Sequence, residues 1–214
     1  MAGSRIERRT KVTPPPRRRM RGPERRAQLL DVARRVFGAS GFHSVSMDEV
    51  AEQAGVTKPI LYDHFPSKRD LYLALLDEDL SRLHDMIQRA LASPEGNRER
   101  IRGSFQAYFD FVDAQADGFR LLMQESVGTE KAFRDRVHRF RDQVLREVAD
   151  LIVRESGGKL DRDRAEAVAL ALIGMVENVA QRNPGASTRK RRESVDTLVQ
   201  LAWRGIAELT PGSE

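Results

Sequence analysis

The stretch SMDEVAEQAGVTKPILYDHFPSK, residues 46–68, decides the reading of the whole chain. Ser46 precedes an amphipathic turn and has Glu49 three residues later, the pattern of a capping box that opens a helix. Gly55 ends that helix, since glycine accepts the left-handed backbone of a helix terminus without a Cβ penalty. Thr57 is the expected cap of the next helix, and Pro59 falls in its first turn, where a missing N–H costs nothing. Ser67 caps a further helix, with Asp70 at its capping-box position. Two short helices about a glycine turn make a helix-turn-helix. On the second helix Leu61 and Phe65 are i, i+4 and face inward, while Lys58 and Tyr62 point outward with Pro59 and Asp63 beside them. An outward lysine at the start of such a helix is placed for base edges or phosphates in a major groove. Tyr62, His64 and Lys68 can donate to phosphate oxygens on either side, and the helix start at Ser67-Lys68 adds free N–H groups. The plainer alternative is that Tyr62 and His64 only close a three-helix core.

Upstream, Leu29, Leu30, Ala33, Val36 and Phe37 follow i, i+3, i+4, i+7 spacing, a first amphipathic helix from Pro23 to Ser40-Gly41. Before it, residues 1–26 carry ten Lys/Arg against Glu7 and Glu24, or +8, in a chain whose total is +5; the remainder is therefore −3. With PPPRRRMRGP and no hydrophobic periodicity, residues 1–22 read as a disordered basic arm suited to a polyanion, with Arg25 at its inner end. Downstream the helices lengthen: 68–92, 97–115, a short 117–125, 130–156, 161–182 and 188–209. Breaks come at Ser93-Pro94, Asp117-Gly118, Gly128, Gly157-Gly158 and Asn183-Pro184-Gly185. No strand-like alternation competes, so the expected fold is all-α with about nine helices.

The run RRAQLLDVARRVFGASGFHSVSMDEVAEQAGVTKPILYDHFPSKRDLY resembles the N-terminal domain of the TetR family of bacterial transcription regulators. The likeness covers about 50 residues, through Phe37, Gly41-Phe42, Ala54-Gly55-Val56, Leu61-Tyr62, His64-Phe65 and Ser67-Lys68. It implies a homodimer reading a palindromic double-stranded DNA operator. The division it implies is arm 1–22, DNA-binding domain 23–70, and ligand-binding and dimerisation domain 71–214. The implied DNA contacts are Ser46, Thr57, Lys58, Pro59, Tyr62, His64 and Lys68, with Arg25 joining them. Pro59 stands where the family often has a small residue, and its nitrogen donates nothing to a phosphate.

The longer helices gather Phe105, Tyr108, Phe109, Val112, Phe119, Leu122, Met123 and Phe140. Such spacing is an ordinary core face, but its excess of apolar side chains also suits a ligand cavity between helices. Met86, Met123 and Met175 would make that pocket adaptable. The stretch LYLALL…FQAYFDFVDAQADGFRLLMQES more loosely resembles actinobacterial members that sense long-chain acyl-CoA; a plain apolar effector is the alternative. The last two helices carry apolar stripes, and by the same resemblance Leu172, Met175, Val179, Leu198, Ala202 and Trp203 form the dimer interface, or else a core within one chain.

The absence of cysteine removes disulfides and thiolate metal sites and suits a reducing cytoplasm. No apolar run approaches the ~20 residues of a membrane span. Scattered histidines, no phosphate-cradling GxxxxGK[ST] and no paired carboxylates leave neither enzyme, metal nor cofactor expected. The reading is a ligand-responsive transcription regulator, expected as a repressor. Its competitors are a nonspecific nucleoid-type DNA binder driven by the arm, and a helical lipid-binding protein.

Overall fold

In the computed structural model the described residues are 22–114, 130–182 and 186–209, with side chains described to 113 and 205 in the segments that end at 114 and 209. Among them eight helices occur and no strand: α1 Gly22–Ser40, α2 Met47–Gln53, α3 Lys58–His64, α4 Lys68–Leu91, α5 Asn97–Ala114, α6 Lys131–Glu155, α7 Arg162–Arg182 and α8 Thr188–Leu209. The expected short helix over 117–125 lies outside the described residues, as do the arm up to residue 21 and the break at 183–185.

The ends of the helices follow from a few side chains. Ser46 Oγ accepts the N–H of Glu49 at 3.1 Å, and Ser67 Oγ accepts that of Asp70 at 3.1 Å while donating to Asp70 Oδ2 at 2.7 Å. At the end of α2, the Gly55 N–H reaches Glu52 O and the Val56 N–H reaches Ala51 O, each at 3.0 Å. This is a Schellman closure, and it holds Gly55 at φ +63°. The Cβ of a larger residue would meet no atom there, so the demand for glycine is one of backbone angle alone. Thr57 occupies the cap position of α3 in extended geometry, but its side chain makes no capping bond.

Two apolar clusters organise the packing. The first joins α1, α2, α3 and the start of α4 around Leu29, Phe37, Val50, Leu61, Phe65 and Leu71. It also takes in Phe133 and Val137 from the start of α6. The rings of Phe42, Tyr72 and Phe133 meet there at centroid distances of 4.5–5.2 Å. The second cluster lies between the end of α4, α5, α6, α7 and α8, and Phe140 borders both clusters. So α4 and α6 run through both bodies of the fold.

Polar clasps fix α4 to its neighbours. The Arg34 side chain of α1 donates to Asp79 at 2.8 Å and to Glu78 at 3.2 Å. Asp79 is 1% exposed. Burial raises its carboxyl above the ordinary value, and the Arg34 hydrogen bond and charge pull it only partly back. Arg34 itself is driven upward: its bonds to carboxylates outweigh the desolvation that acts against it. Because arginine keeps its proton at any accessible pH, only the direction at Asp79 has a consequence in solution. Farther along, Nε2 of His84 and the Gln88 amide meet the Glu147 carboxylate of α6 at 2.9 and 2.5 Å.

Candidate functional site

The exposed side of α3 carries Thr57, Lys58, Pro59, Ile60, Tyr62 and Asp63, with Tyr62 45% exposed. Leu61 and Phe65 are buried on the opposite side, as their spacing requires. Ser46 is exposed at the head of α2, and His64 is half-buried beside the Phe65 ring. Ser46, Thr57, Lys58, Pro59 and Tyr62 are thus exposed on or beside α2 and α3, and the Lys58 side chain reaches back to Asp48 of α2. Arg25 lies at the start of α1, where it donates to Gln28 at 2.6 Å.

Lys68 departs from the sequence reading. Its ammonium donates to the carbonyls of Phe42 at 2.8 Å, Val45 at 3.0 Å and His43 at 3.4 Å, and sits 4.5 Å above the Phe42 ring. An ammonium has three donors, and all three are used within the chain. Lys68 therefore ties the α1–α2 loop to α4 rather than reaching a phosphate. Replacing it with methionine leaves three carbonyls without their charged donor, and should lower stability by about 1.5–3 kcal/mol in urea unfolding. The folded fraction should still bind DNA with near wild-type salt dependence; a salt slope reduced by about one would restore the phosphate contact.

Two residues of this surface were not singled out from the sequence. Ile60 is 39% exposed and is an apolar group suited to a thymine methyl. Asp48 of α2 has Oδ2 2.6 Å from Lys58 Nζ. Nothing local marks Asp48, because its partner Lys58 lies across the turn.

A cavity of about 420 Å³ opens in the second body, between α4, α5, α6, α7 and α8. Along α6 it runs from Phe140 to Glu155, about 22 Å at 1.5 Å per residue. Its middle is apolar, with Val144, Val148, Ile152, Phe105, Leu172 and Ile173. Near the first body it ends on Phe140, Tyr108 and the Arg141–Glu177 ion pair. Burial pushes the Tyr108 hydroxyl upward, so it stays protonated, and it accepts a hydrogen bond from the Gln181 amide at 3.4 Å. At the far end lie Arg100 and Lys159; Arg100 is held by Glu155 at 3.0 Å and by Asn97 at 2.9 Å. The Arg100 hydrogen bond in turn lowers the Glu155 carboxyl.

Of the expected ligand residues, Phe105, Tyr108 and Phe140 line this cavity. Met86, Phe109, Val112 and Met175 pack in the surrounding cluster without lining it. Phe119, Leu122 and Met123 lie outside the described residues. Among the expected interface residues, Leu172, Leu198 and Ala202 are buried inside their own chain. Leu172 and Trp203 line the cavity, and Met175 and Val179 are half-buried against the same cluster. Among the described side chains of α7 and α8, the large apolar ones that stand exposed are Leu170 and Leu201, each at 62%. A helical stripe states which residues share a face but not which neighbour covers it.

Residues 29–75 match the family profile described as bacterial regulatory proteins, tetR family, and residues 97–205 match the tetracyclin repressor-like C-terminal domain. The chain is 36% identical to the HTH-type transcriptional activator FasR of Mycolicibacterium smegmatis over 87% of this chain and 84% of that protein. A TetR-like transcriptional regulator from Rhodococcus sp. RHA1 superposes with TM-score 0.71 at 30% identity, covering 88% of this chain and 99% of that one. AibR, solved with isovaleryl coenzyme A and operator DNA, shares the fold at TM-score 0.64 and 20% identity, over 83% and 97% of the two chains.

Proposed function

Because the chain belongs to the TetR family of bacterial transcription regulators, we propose that it reads a palindromic operator as a homodimer and that an acyl-type effector in the α4–α8 cavity sets its DNA affinity. Transcription regulation by DNA binding comes with the family, and enzyme activity does not. No helix among the described residues is long and apolar enough to cross a membrane. A DNA reader of this kind works in the cytoplasm, and the domain division proposed for it is the one expected above, except that α4 from Leu71 to Leu80 and the start of α6 pack in the core of the first body.

The observation that carries the effector reading is the shape of the cavity. A largely apolar space ~22 Å long, with cations at one end, suits an extended acyl chain that carries an anionic head. Its tail would point to Phe140 and its anionic head to Arg100 and Lys159. At ~0.8 kcal/mol per buried methylene, a chain of about ten methylenes contributes about 8 kcal/mol. Only the part that differs between the DNA-competent and DNA-incompetent states can switch anything, and a nearly complete switch needs about 5.5 kcal/mol of it. The fold of AibR accommodates an acyl-CoA and an operator in that protein, which favours the same pairing here.

For the dimer, Leu170 and Leu201 replace the buried Leu172 and Leu198 as the proposed contacts, because an interface needs apolar surface the chain has not already used. The mycobacterial relative is named an activator, which moves the reading from repressor to a regulator of either sign. The position of the operator relative to the promoter then sets that sign.

Selection of bound duplexes from a random pool at moderate salt tests the DNA reading. A recovered palindrome, with half-sites one or more helical turns apart, supports it. In the same assay the variant with Lys58→Ala and Tyr62→Phe should lose on the order of 1–3 kcal/mol or more of specific binding. Unchanged binding would remove α3 from the interface. Recovery of no motif would favour a charge-driven binder.

A further inference from the structure

The Asp48–Lys58 contact joins the first turn of α2 to the first residue of α3 across the helix-turn-helix. Both side chains are about 60% exposed, so burial does not force the pair together. It is held by the turn, since the Schellman closure at Gly55 and the capped start of α2 fix the two backbones. In free protein an ion pair this exposed is worth only ~0–1 kcal/mol. At a DNA surface its meaning changes, because water is expelled and the surrounding charges are all phosphates.

Consider Lys58 leaving Asp48 for a phosphate oxygen. The lysine exchanges one anion for another, and Asp48 is left facing the polyanion with its charge uncompensated. That exchange is close to neutral for Lys58 and unfavourable for Asp48, so contact with the backbone alone is discouraged. A G·C pair presents a different surface. Guanine O6 and N7 offer Lys58 two acceptors, and the paired cytosine N4–H₂ offers Asp48 a donor. Both members of the ion pair then find partners on one base pair.

We propose that Asp48 is a specificity-determining residue, which holds Lys58 away from phosphates and gives it up to the edge of a G·C pair. The proposal rests on the α2–α3 surface being the DNA-reading face. Lys58 pairs with Asp48 and not with the other acidic groups on these helices, Glu49, Glu52 and Asp63, which do not share the role.

The test uses the full-length protein, a duplex selected by the wild type from a random pool, and a shuffled duplex of equal composition. Dissociation constants are measured over a range of salt for wild type, Asp48→Asn, Lys58→Met and the double variant. For Asp48→Asn, binding to the shuffled duplex should tighten about five- to tenfold and its salt slope should steepen by about one, the mark of one added phosphate contact. Binding to the selected duplex should change less, so the specificity ratio falls. In the Lys58→Met background the same substitution should do little. Equal tightening with and without Lys58 would show that Asp48 acts through its own charge and would overturn the proposal. So would an unchanged shuffled-duplex affinity. A wild type that enriches no duplex would overturn the DNA-reading face itself. Matching thermal midpoints for Asp48→Asn and wild type exclude a folding effect.

Discussion

Asp79→Ala should destabilise the protein by about 3–5 kcal/mol, read as a lowered urea midpoint with little change in slope. Asp79 is 1% exposed and takes two donor positions of Arg34, whose side chain is only 12% exposed. Removing the carboxylate leaves the guanidinium with the more exposed Asp31 and Glu78, in a place where its charge is poorly hydrated. The size of the loss comes from that stranded cation and not from the net worth of the pair, because desolvating both ions offsets most of their attraction. The combined change of Arg34→Met with Asp79→Leu should therefore recover most of the loss. If the double change proves as harmful as the single one, the pair is stabilising in its own right. Since the clasp joins α1 to the part of α4 that packs in the first body, its loss should weaken the packing of that body.

Phe133→Ala is the other large expected loss, about 3–5 kcal/mol for an aromatic side chain with no exposed surface. Its ring lies 4.5 Å from Tyr72 and 5.2 Å from Phe42, centroid to centroid, so truncation opens a space that three rings now fill. The position matters beyond stability. From Phe133 and Val137 in the first cluster, α6 passes Phe140, which touches both clusters, and then forms one wall of the cavity. A displacement of α6 at the cavity must move Phe133 against the head that carries α2 and α3. Phe133→Leu keeps the apolar character and should cost less than about 1.5 kcal/mol. That variant should bind DNA alone and a long-chain acyl-CoA alone nearly as wild type does. The change in DNA affinity that the acyl-CoA causes should fall toward unity. Undiminished coupling in Phe133→Leu would show that the signal bypasses this contact.

Much of this was readable in advance because it is local. Ser46, Ser67 and Gly55 act on backbone groups within four residues of themselves, so caps and turns announced helix ends that agree with the structure to within one or two residues. Leu61 and Phe65 were assigned inward by spacing alone and are 0% and 2% exposed. Where the residues were misplaced, the deciding partner was remote in the chain. Lys68 looked free for phosphate because its three carbonyl partners lie 23–26 residues upstream. Asp48 and Lys58 face each other only because the turn brings two short helices together. The apolar stripes of α7 and α8 were recognised, yet Leu172 and Leu198 turned inward while Leu170 and Leu201 stayed exposed.

The order of residues alone thus settled the helical fold, the reading head and the family, since each depends on periodicity, capping and short-range spacing. The cavity, its charged ends, the Arg34–Asp79 clasp and the passage of α6 through both cores required the folded chain. A side chain's chemistry is written in its identity, but whether that chemistry is spent inside the molecule or offered to a partner depends on which distant atoms close over it.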